Sequence, residues 1–243
     1  MTEWFEEWFD TEYYHLLYNN RNDEEAAAFM RRICSYLGLP EGAKVADIAC
    51  GKGRHSHVLG NFGFLVYGYD LSGNSICQAR ELASPNESFF VHDIREPFPH
   101  NGFDAAFNLF TSFGYFNSPA EDEQTLKNIY HMLKPGAVFV QDYLNGLPLL
   151  NQLPCQGSEV RNNLTFKLAK RYEAPFIYKT IHVEDSHGIH DFEEKVKIYS
   201  EAELRDLHTG AGFVVDAVCG NYELQPYEKQ SSPRIILISR KPA

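Results

Sequence analysis

The amino-acid sequence predicts an α/β protein built on a doubly wound, mostly parallel sheet. The first observation is that short apolar strand patterns alternate with amphipathic helix patterns from residue 44 onward. The second is that polar residues, several of them acidic, stand where the predicted strands end. The third is size, because 243 residues, 44% of them hydrophobic, suffice for one well-packed domain with an insert.

Helical patterns fill residues 1–38, which we expect to form an N-terminal helical lid. Aromatic residues recur at helical spacing in the first pattern, at Trp4, Phe5, Trp8 and Phe9. In the second, apolar residues are spaced by four, and Gly38 follows as a stop signal. The polar face of the first pattern is acidic, which favours packing onto the protein over binding to a membrane surface.

Five strand patterns and three helix patterns alternate between residues 39 and 153. The strands are predicted at 45–49, 64–69, 89–91, 103–110 and 137–143. The helices are predicted at 54–61, 72–82 and 120–133, and Pro135 with Gly136 stops the last one. This alternation places helices on both faces of a parallel sheet.

The pattern changes in residues 154–199. Extended segments with alternating polar and apolar residues are predicted at 164–171, 176–184 and 189–199. A polar turn from Asp185 to Gly188 separates the last two segments. We therefore predict an antiparallel β insert.

The chain then returns to the main domain, which is predicted over 39–153 and 200–243. Ser200 and Glu203 form a capping box that starts another helix. Two final strands are predicted at 213–219 and 234–239, close enough in sequence to pair.

The most informative stretch is VADIACGKGRHS, which runs from Val45 to Ser56. Gly51 and Gly53 occupy a strand-to-helix turn and let a ligand approach closely, because neither has a Cβ atom. A dinucleotide site would need a third glycine where Ser56 stands. Asp47, just before this turn, would repel a pyrophosphate but attract an ammonium or a sulfonium group. The turn therefore favours a cationic ligand without phosphate, and S-adenosylmethionine fits.

Side chains at the ends of the next strands match other parts of that ligand. Asp70 stands 19 positions after Gly51, near the spacing at which an acid binds both ribose hydroxyls. Asp93 can accept a hydrogen bond from an adenine amino group, and Ile94 can pack on the ring. The other predicted cofactor contacts are Ala49, Leu71, Asn108 and Phe110.

Purely structural roles remain open for the same acids. Asp47 could cap a helix or pair with a buried cation. Asp70 could simply start a helix with Ser72. Asp93 could be a turn residue before Pro97.

The ordered segments VADIACGKGRHS, VYGYDLS, FVHDI, FDAAFNLFTSFGYF and MLKPGAVFVQDYLN resemble the motifs of class I S-adenosylmethionine-dependent methyltransferases. The resemblance covers residues 43–145 closely and continues through AGFVVDAV to the C-terminus. It implies a Rossmann-like seven-stranded sheet whose last strand is antiparallel, with S-adenosylmethionine as cofactor. The matching positions are Asp47, Gly51 and Gly53 in the first motif, Asp70 as the ribose acid, and Asp93 with Ile94 at the adenine. Cys50 departs from the glycine that many members carry, although a D-x-x-C-G-x-G variant is also common.

Two regions are candidates for the acceptor side. Small-molecule members such as aminosugar and glycine N-methyltransferases carry aromatic residues on an N-terminal lid, and Tyr14 and His15 match such a role here. A surface aromatic packed on the fold is the alternative. Asp142, at the end of the fifth strand, could orient an amine or accept a proton. The resemblance thus implies methyl transfer to N or O of a small molecule, with the insert as a lid, a specificity wall or a homodimer surface.

Composition limits the other possibilities. A net charge of −11 opposes nucleic-acid binding, and therefore also RNA methylation. Five scattered cysteines and the lack of a visible leader or membrane segment favour a cytoplasmic protein. No metal site is expected, since the histidines near the insert turn read as a solvated hairpin tip. An NAD-type oxidoreductase and a non-catalytic S-adenosylmethionine-binding protein remain alternatives.

Overall fold

The computed structural model describes residues 3–18 and 23–243. The chain forms two compact units, one comprising Met1–Arg21 and Gly146–Ile198 and the other Asn22–Asn145 and Tyr199–Ala243. The sequence-based segment 1–38 is thus divided between the two units.

Eleven strands and eight helices are present in the described part of the chain. The strands are β1 Lys44–Ile48, β2 Leu65–Asp70, β3 Glu87–Val91, β4 Phe103–Asn108, β5 Leu133–Leu144, β6 Cys155–Arg161, β7 Leu164–Glu173, β8 Phe176–Asp185, β9 Gly188–Lys197, β10 Val214–Cys219 and β11 Arg234–Arg240. The helices are α1 Trp4–Trp8, α2 Glu12–Leu17, α3 Asp23–Leu37, α4 Arg54–Asn61, α5 Gly73–Glu81, α6 Pro119–Met132, α7 Gly146–Leu150 and α8 Glu201–Gly210.

A seven-stranded sheet forms the centre of the larger unit, in the order β10-β11-β5-β4-β1-β2-β3. The strands β3, β2, β1, β4 and β5 are parallel to one another, and β11 runs antiparallel to both β5 and β10. The predicted seven-stranded α/β sheet with an antiparallel last strand is therefore confirmed. Its order reverses between β1 and β4, and the carboxyl ends of the parallel strands form a crevice there.

The core of this unit explains why the central strands read as apolar runs. Val45, Ala105 and Phe107 are fully buried in the two central strands. Helix α3 covers them with Phe29 and Ile33, which belong to the same hydrophobic cluster. Full burial of a valine, isoleucine or phenylalanine side chain stabilises the fold by about 1.5–3 kcal/mol.

Helix α8 is fixed to the sheet by a buried histidine. The ring of His208 stacks on Phe139, and its two nitrogens lie 2.8 Å from Ser239 Oγ and 2.8 Å from Gln141 Oε1. Burial lowers the pKa of His208 to about 3, so the ring is neutral near pH 7.

The smaller unit contains the predicted antiparallel insert, but with four strands in the order β6-β7-β8-β9 in place of three. Helices α1 and α2 belong to this unit, because Trp8 and Leu17 share a cluster with Phe166, Ile181 and Val183 of the sheet. This packing is the physical reason why the N-terminal segment divides after its first two helices.

Polar contacts reinforce the same packing. The indole nitrogen of Trp8 donates to Glu194 Oε1 at 2.8 Å, and the hydroxyl of Tyr18 donates to the same oxygen at 2.6 Å. The ammonium of Lys179 donates to the Tyr18 hydroxyl at 2.6 Å. Across the described residues, no helix is both long and apolar enough to cross a membrane.

Candidate functional site

The glycine turn after β1 has left-handed backbone angles at Ala49, Gly51 and Gly53, with φ of 58°, 56° and 83°. A Cβ atom on Gly51 would meet nothing within 4 Å, so there is room for a ligand beside this residue. A Cβ on Gly53 would lie 2.9 Å from Nε2 of His57 and 3.0 Å from the ring of Phe89. Gly51 is thus required by backbone conformation, and Gly53 by conformation and close packing.

The carboxylate of Asp70 connects the ends of β1 and β2. Its Oδ2 accepts from the amide of Gly51 at 2.7 Å, and its Oδ1 accepts from the amide of Ser72 at 2.9 Å. The N-cap of α5 is Ser72 itself, whose hydroxyl accepts from Ser75 N. Asp70 is therefore not the cap of that helix, and it borders the open space at Gly51. Leu71, which follows it, is half-buried.

Asp47 lies behind the turn and is almost fully buried. Its Oδ2 accepts from the hydroxyl of Ser56, in α4, at 2.6 Å. Burial raises the pKa of Asp47 to about 6, with a further increase from the charge of Asp70 and an opposing effect of the Ser56 hydrogen bond. Gly53 is the N-cap residue of α4, so Asp47 does not cap this helix. A cationic group nearby would stabilise the ionised form.

Asp93 follows β3, which lies beside β2 in the sheet. Arg95, which the sequence reasoning did not identify, donates from Nη2 to Asp93 Oδ2 at 2.6 Å and from its amide to Oδ1 at 2.9 Å. The same guanidinium reaches Glu121 Oε1 at 3.1 Å. Burial acts to raise the pKa of Asp93, but the hydrogen bonds and charge of Arg95 outweigh it and lower the pKa. Half-buried Ile94 accepts from Asn128 Nδ2 through its carbonyl at 3.2 Å.

The end of β4 is tied to β1 and then turns sharply. The side-chain amide of Asn108 donates to the carbonyls of Ile48 and Ser112, each at 3.1 Å. Phe110 and Thr111 both have left-handed angles, with φ of 64° and 66°. Such angles cost about 1–3 kcal/mol per non-glycine residue and are rare for a β-branched one.

Asp142 lies beside this turn, on β5, and is almost fully buried. Its Oδ2 accepts from the amide of Phe110 at 2.9 Å and from the hydroxyl of Tyr222 at 3.1 Å. Its Oδ1 accepts from Nε of Arg234 at 2.7 Å. Neither Arg234 nor Tyr222 was among the sequence-predicted residues, since each is separated from Asp142 by at least 80 positions.

A cleft open to solvent lies beside these strand ends. It lies within the larger unit and is lined by Glu25, Ala26, Phe29, Arg54, His55, Leu109, Phe110, Asp142 and Tyr222. The guanidinium carbon of Arg54 lies 5.2 Å from the centroid of the Phe110 ring. Of the predicted site residues, Phe110 and Asp142 line this cleft directly. The position of Arg54 and His55 just after the glycine turn is the signal that could have identified them.

Tyr14 and His15 belong to the smaller unit. The ring of Tyr14 packs edge-on against Phe9 at 4.9 Å and Trp8 at 5.6 Å, and it lies 5.3 Å from the ring of His15. These contacts agree with the second possibility considered for Tyr14, an aromatic residue packed on the fold. The role of Tyr14 and His15 over a cofactor stays a prediction. Across residues 3–18 and 23–243, no group of three or more His, Cys, Asp or Glu side chains is arranged to hold a metal ion.

Comparison with known proteins agrees with this arrangement. Residues 45–136 match a family described as "Methyltransferase domain". The putative methyltransferase YqeM of Bacillus subtilis (strain 168) is 30% identical over 119 residues, which cover 48% of this chain and 48% of that protein. Three such curated relatives are each matched over about half of their length, 47–54%.

Two further comparisons extend over more of the chain. The dTDP-3-amino-3,4,6-trideoxy-alpha-D-glucopyranose N,N-dimethyltransferase of Streptomyces venezuelae is 24% identical over 74% of this chain and 79% of that protein. The solved structure of an S-adenosylmethionine-dependent methyltransferase from Clostridium acetobutylicum ATCC 824 has a TM-score of 0.80 at 17% identity, covering 95% of this chain and 96% of that one. The fold is thus shared over nearly the whole chain. Residues 45–136 thus resemble a methyltransferase domain, and nearly the whole chain has the fold of that solved methyltransferase.

Proposed function

We propose that this protein transfers a methyl group from S-adenosylmethionine to a nitrogen or oxygen atom of a small-molecule acceptor. The single observation that carries the proposal is the acid-lined glycine turn, in which Asp70 accepts from the Gly51 amide at 2.7 Å beside open space. S-adenosylmethionine supplies an electrophilic methyl group on a sulfonium when bound.

The residues at the turn fit this cofactor chemically. The carboxylate of Asp70, which accepts from the amide of Gly51, is the kind of group that binds ribose hydroxyls. The buried carboxylate of Asp47 would face the positive charge of the cofactor. Their attraction would offset the penalty of burying the carboxylate. Asp93 would accept from the adenine amino group in exchange for one of its four hydrogen bonds from Arg95, with Ile94 beside it.

The cleft at the ends of β1, β4 and β5 is the proposed place of methyl transfer. The net charge of −11 opposes a nucleic-acid acceptor, so we propose that the acceptor is a small molecule. Methyl transfer depends mainly on holding the two reactants in line and keeping water out, so the walls of the cleft matter more than a particular base.

An amine is the acceptor class that we favour. The relative from Streptomyces venezuelae is named as an N,N-dimethyltransferase of an amino sugar nucleotide, and its match extends over 79% of its length. Glu25 contributes a carboxylate to the cleft lining and Arg54 a guanidinium, while the carboxylate of Asp142 is paired with Arg234, so the preference for an amine rests on this relative.

The test is a transfer assay with S-adenosylmethionine and a panel of small amines, amino sugars and hydroxyl compounds. Mass spectrometry of the products locates each added methyl group on N or O. We expect transfer to one or more amines. Tight cofactor binding with no transfer across the panel would favour a non-catalytic binding protein.

We further propose that the protein acts in the cytoplasm and that the insert forms a lid, a specificity wall or a homodimer surface. All five cysteines are free thiols, which suits a reducing compartment. Light scattering of the purified protein tests the homodimer surface, and a monomer at all concentrations would contradict it.

A further inference from the structure

The turn after β4 holds a conformation that its residues do not favour. Phe110 and Thr111 are consecutive non-glycine residues with φ of 64° and 66°. Threonine is β-branched, and its two substituents on Cβ crowd the backbone at positive φ. Such a conformation persists only where the surrounding structure imposes it.

Asp142 and Arg234 supply the contacts that impose it. The side chain of Asp142 accepts from the amide of Phe110 at 2.9 Å, and its carbonyl accepts from the amide of Thr111 at 3.0 Å. Arg234 donates from Nη2 to the Thr111 hydroxyl at 2.9 Å and from Nε to Asp142 Oδ1 at 2.7 Å. Both turn residues are therefore held through their backbone amides, and Thr111 also through its side chain.

The two side chains form one unit in the sheet. Arg234 opens β11, which pairs with β5 along its length, and its register partner is Leu144. Asp142 is 1% exposed and the side chain of Arg234 is 17% exposed. A buried ion pair of this kind is costly to break, because removing one partner leaves the other charge without compensation.

From these contacts we propose that Asp142 and Arg234 are positioning residues that hold the Phe110–Thr111 turn, and with it the Phe110 wall of the cleft. The mechanical part of the proposal, that the two side chains hold the turn, follows from the contacts alone. Its catalytic consequence rests on the proposed methyl transfer. It replaces the sequence-based hypothesis that Asp142 accepts a proton from the acceptor.

The hydrogen-bond partners of Asp142 favour positioning over proton transfer. Oδ1 receives the guanidinium of Arg234, and Oδ2 receives the amide of Phe110 and the hydroxyl of Tyr222. A proton on either oxygen would replace one of these donors and weaken the ion pair. A carboxylate is a poor general base when protonation breaks the hydrogen bonds that hold it in place.

The mechanical part can be tested without any acceptor. Amide hydrogen exchange is measured by mass spectrometry on peptides that contain residues 109–113, in wild type, Asp142→Asn and Arg234→Gln. We expect exchange at this turn to accelerate about 10- to 100-fold in both variants, the equivalent of one charge-assisted hydrogen bond.

The matched control is Asp216→Asn, because Asp216 accepts from Nε of Arg240 at 3.0 Å across β10 and β11 of the same sheet. This exposed Asp–Arg pair is remote from the cleft lining, so its loss should leave exchange at residues 109–113 unchanged. Circular dichroism verifies that each variant is folded, and Arg234→Lys is the second variant if Arg234→Gln is not. Unchanged exchange in a folded Asp142 variant and a folded Arg234 variant overturns the proposal.

The catalytic consequence is tested by kinetics once an acceptor is known. We expect Asp142→Asn and Arg234→Gln to lower kcat by similar factors, on the order of tenfold or more, with the double variant little worse than either. Where the wild-type profile of kcat against pH falls on the acidic side, both variants should keep that fall. Thr111→Gly in the Asp142→Asn background should recover part of the rate, because glycine adopts positive φ without assistance.

The opposite pattern identifies Asp142 as a base. In that case Asp142→Asn alone loses the acidic limb, Arg234→Gln keeps the wild-type rate, and Thr111→Gly gives no rescue. If wild type methylates no compound, the proposed function fails, while the exchange experiment still decides the role of the two residues in the turn.

Discussion

The main-chain amide of Gly51 donates a 2.7 Å hydrogen bond to Oδ2 of Asp70, which joins the glycine turn after β1 to the end of β2. This contact places a carboxylate directly beside the space that the missing Cβ of Gly51 leaves open. The turn and the ribose acid are therefore one structural unit, and their effects on cofactor binding can be measured separately.

Replacing Asp70 with asparagine should weaken cofactor binding without unfolding the protein. The amide side chain still accepts from Gly51 through its oxygen, but it loses the charge that strengthens hydrogen bonds from ribose hydroxyls. We expect the Kd for S-adenosylmethionine to rise about 10- to 100-fold, measured by isothermal titration calorimetry. Asp216→Asn, on the far strand β10, is the control, and equal affinities for the two variants would contradict the assignment.

Cofactor affinity should depend on pH through Asp47. Burial raises the pKa of this carboxyl to about 6, and a bound cation would lower it because it favours the ionised form. Binding should therefore release a proton near pH 6, and affinity should rise with pH between about 5 and 7.

The measurement is calorimetry at pH 6 in buffers with different ionisation enthalpies, which counts the protons released. Asp47→Asn should remove this release and also weaken binding. If the wild-type protein and this variant release the same number of protons, Asp47 does not face the cofactor.

The two glycines of the turn should respond differently to alanine. Gly53→Ala introduces a Cβ 2.9 Å from Nε2 of His57, whose ring is held by a 2.6 Å contact from Nδ1 to Glu87. Gly136 is the matched control, since it has φ of 79° and its Cβ would meet nothing within 4 Å. We expect Gly136→Ala to lower the free energy of unfolding by about 1–2 kcal/mol, because alanine is strained in this backbone conformation.

Gly53→Ala should lower the free energy of unfolding by about 1–3 kcal/mol more than Gly136→Ala does, because its methyl group overpacks against His57 and Phe89. Urea denaturation gives both free energies of unfolding. Equal costs at the two positions would show that the neighbours of Gly53 relax to admit a methyl group.

His208 should make the fold sensitive to acid. Its pKa is lowered by burial from 6.5 to about 3, so the unfolded chain binds a proton at a higher pH than the folded protein does. The contribution of neutral His208 to the free energy of unfolding is complete above pH 6.5. It falls by about 1.4 kcal/mol per pH unit, for one proton, as pH falls toward 3.

Comparison of wild type with His208→Gln isolates this contribution, because glutamine does not titrate. The difference between their free energies of unfolding should shrink as pH falls from 7 to 4. His131→Gln, at an exposed position of α6, serves as the control. A constant difference across this range would show that His208 is not the titrating group.

The sequence was sufficient for the central strands because parallel strands buried on both faces are mostly apolar, as are the segments around β1 and β4. It was insufficient for β6, whose segment CQGSEVR is polar and lies at the edge of its sheet. Strand β5 begins at Leu133, before Pro135 and Gly136, where a helix stop was predicted. Pro135 and Gly136 therefore lie inside the strand, and the helix ends before them without an intervening loop.

The same distinction applies to the candidate site. Asp47, Gly51 and Asp70 were found because their spacing along the chain reflects one β-α-β unit. Arg234 was not, because its contact with Asp142 spans 92 positions and depends on the antiparallel pairing of β11 with β5. Contacts that only tertiary structure creates leave no local pattern.

The acid-lined turn should bind S-adenosylmethionine and exclude pyrophosphate cofactors. The most direct measurement titrates the wild-type protein with S-adenosylmethionine, its demethylated product and NAD under identical conditions. We predict saturable binding of the first two and none of NAD. Binding of NAD alone would contradict the account.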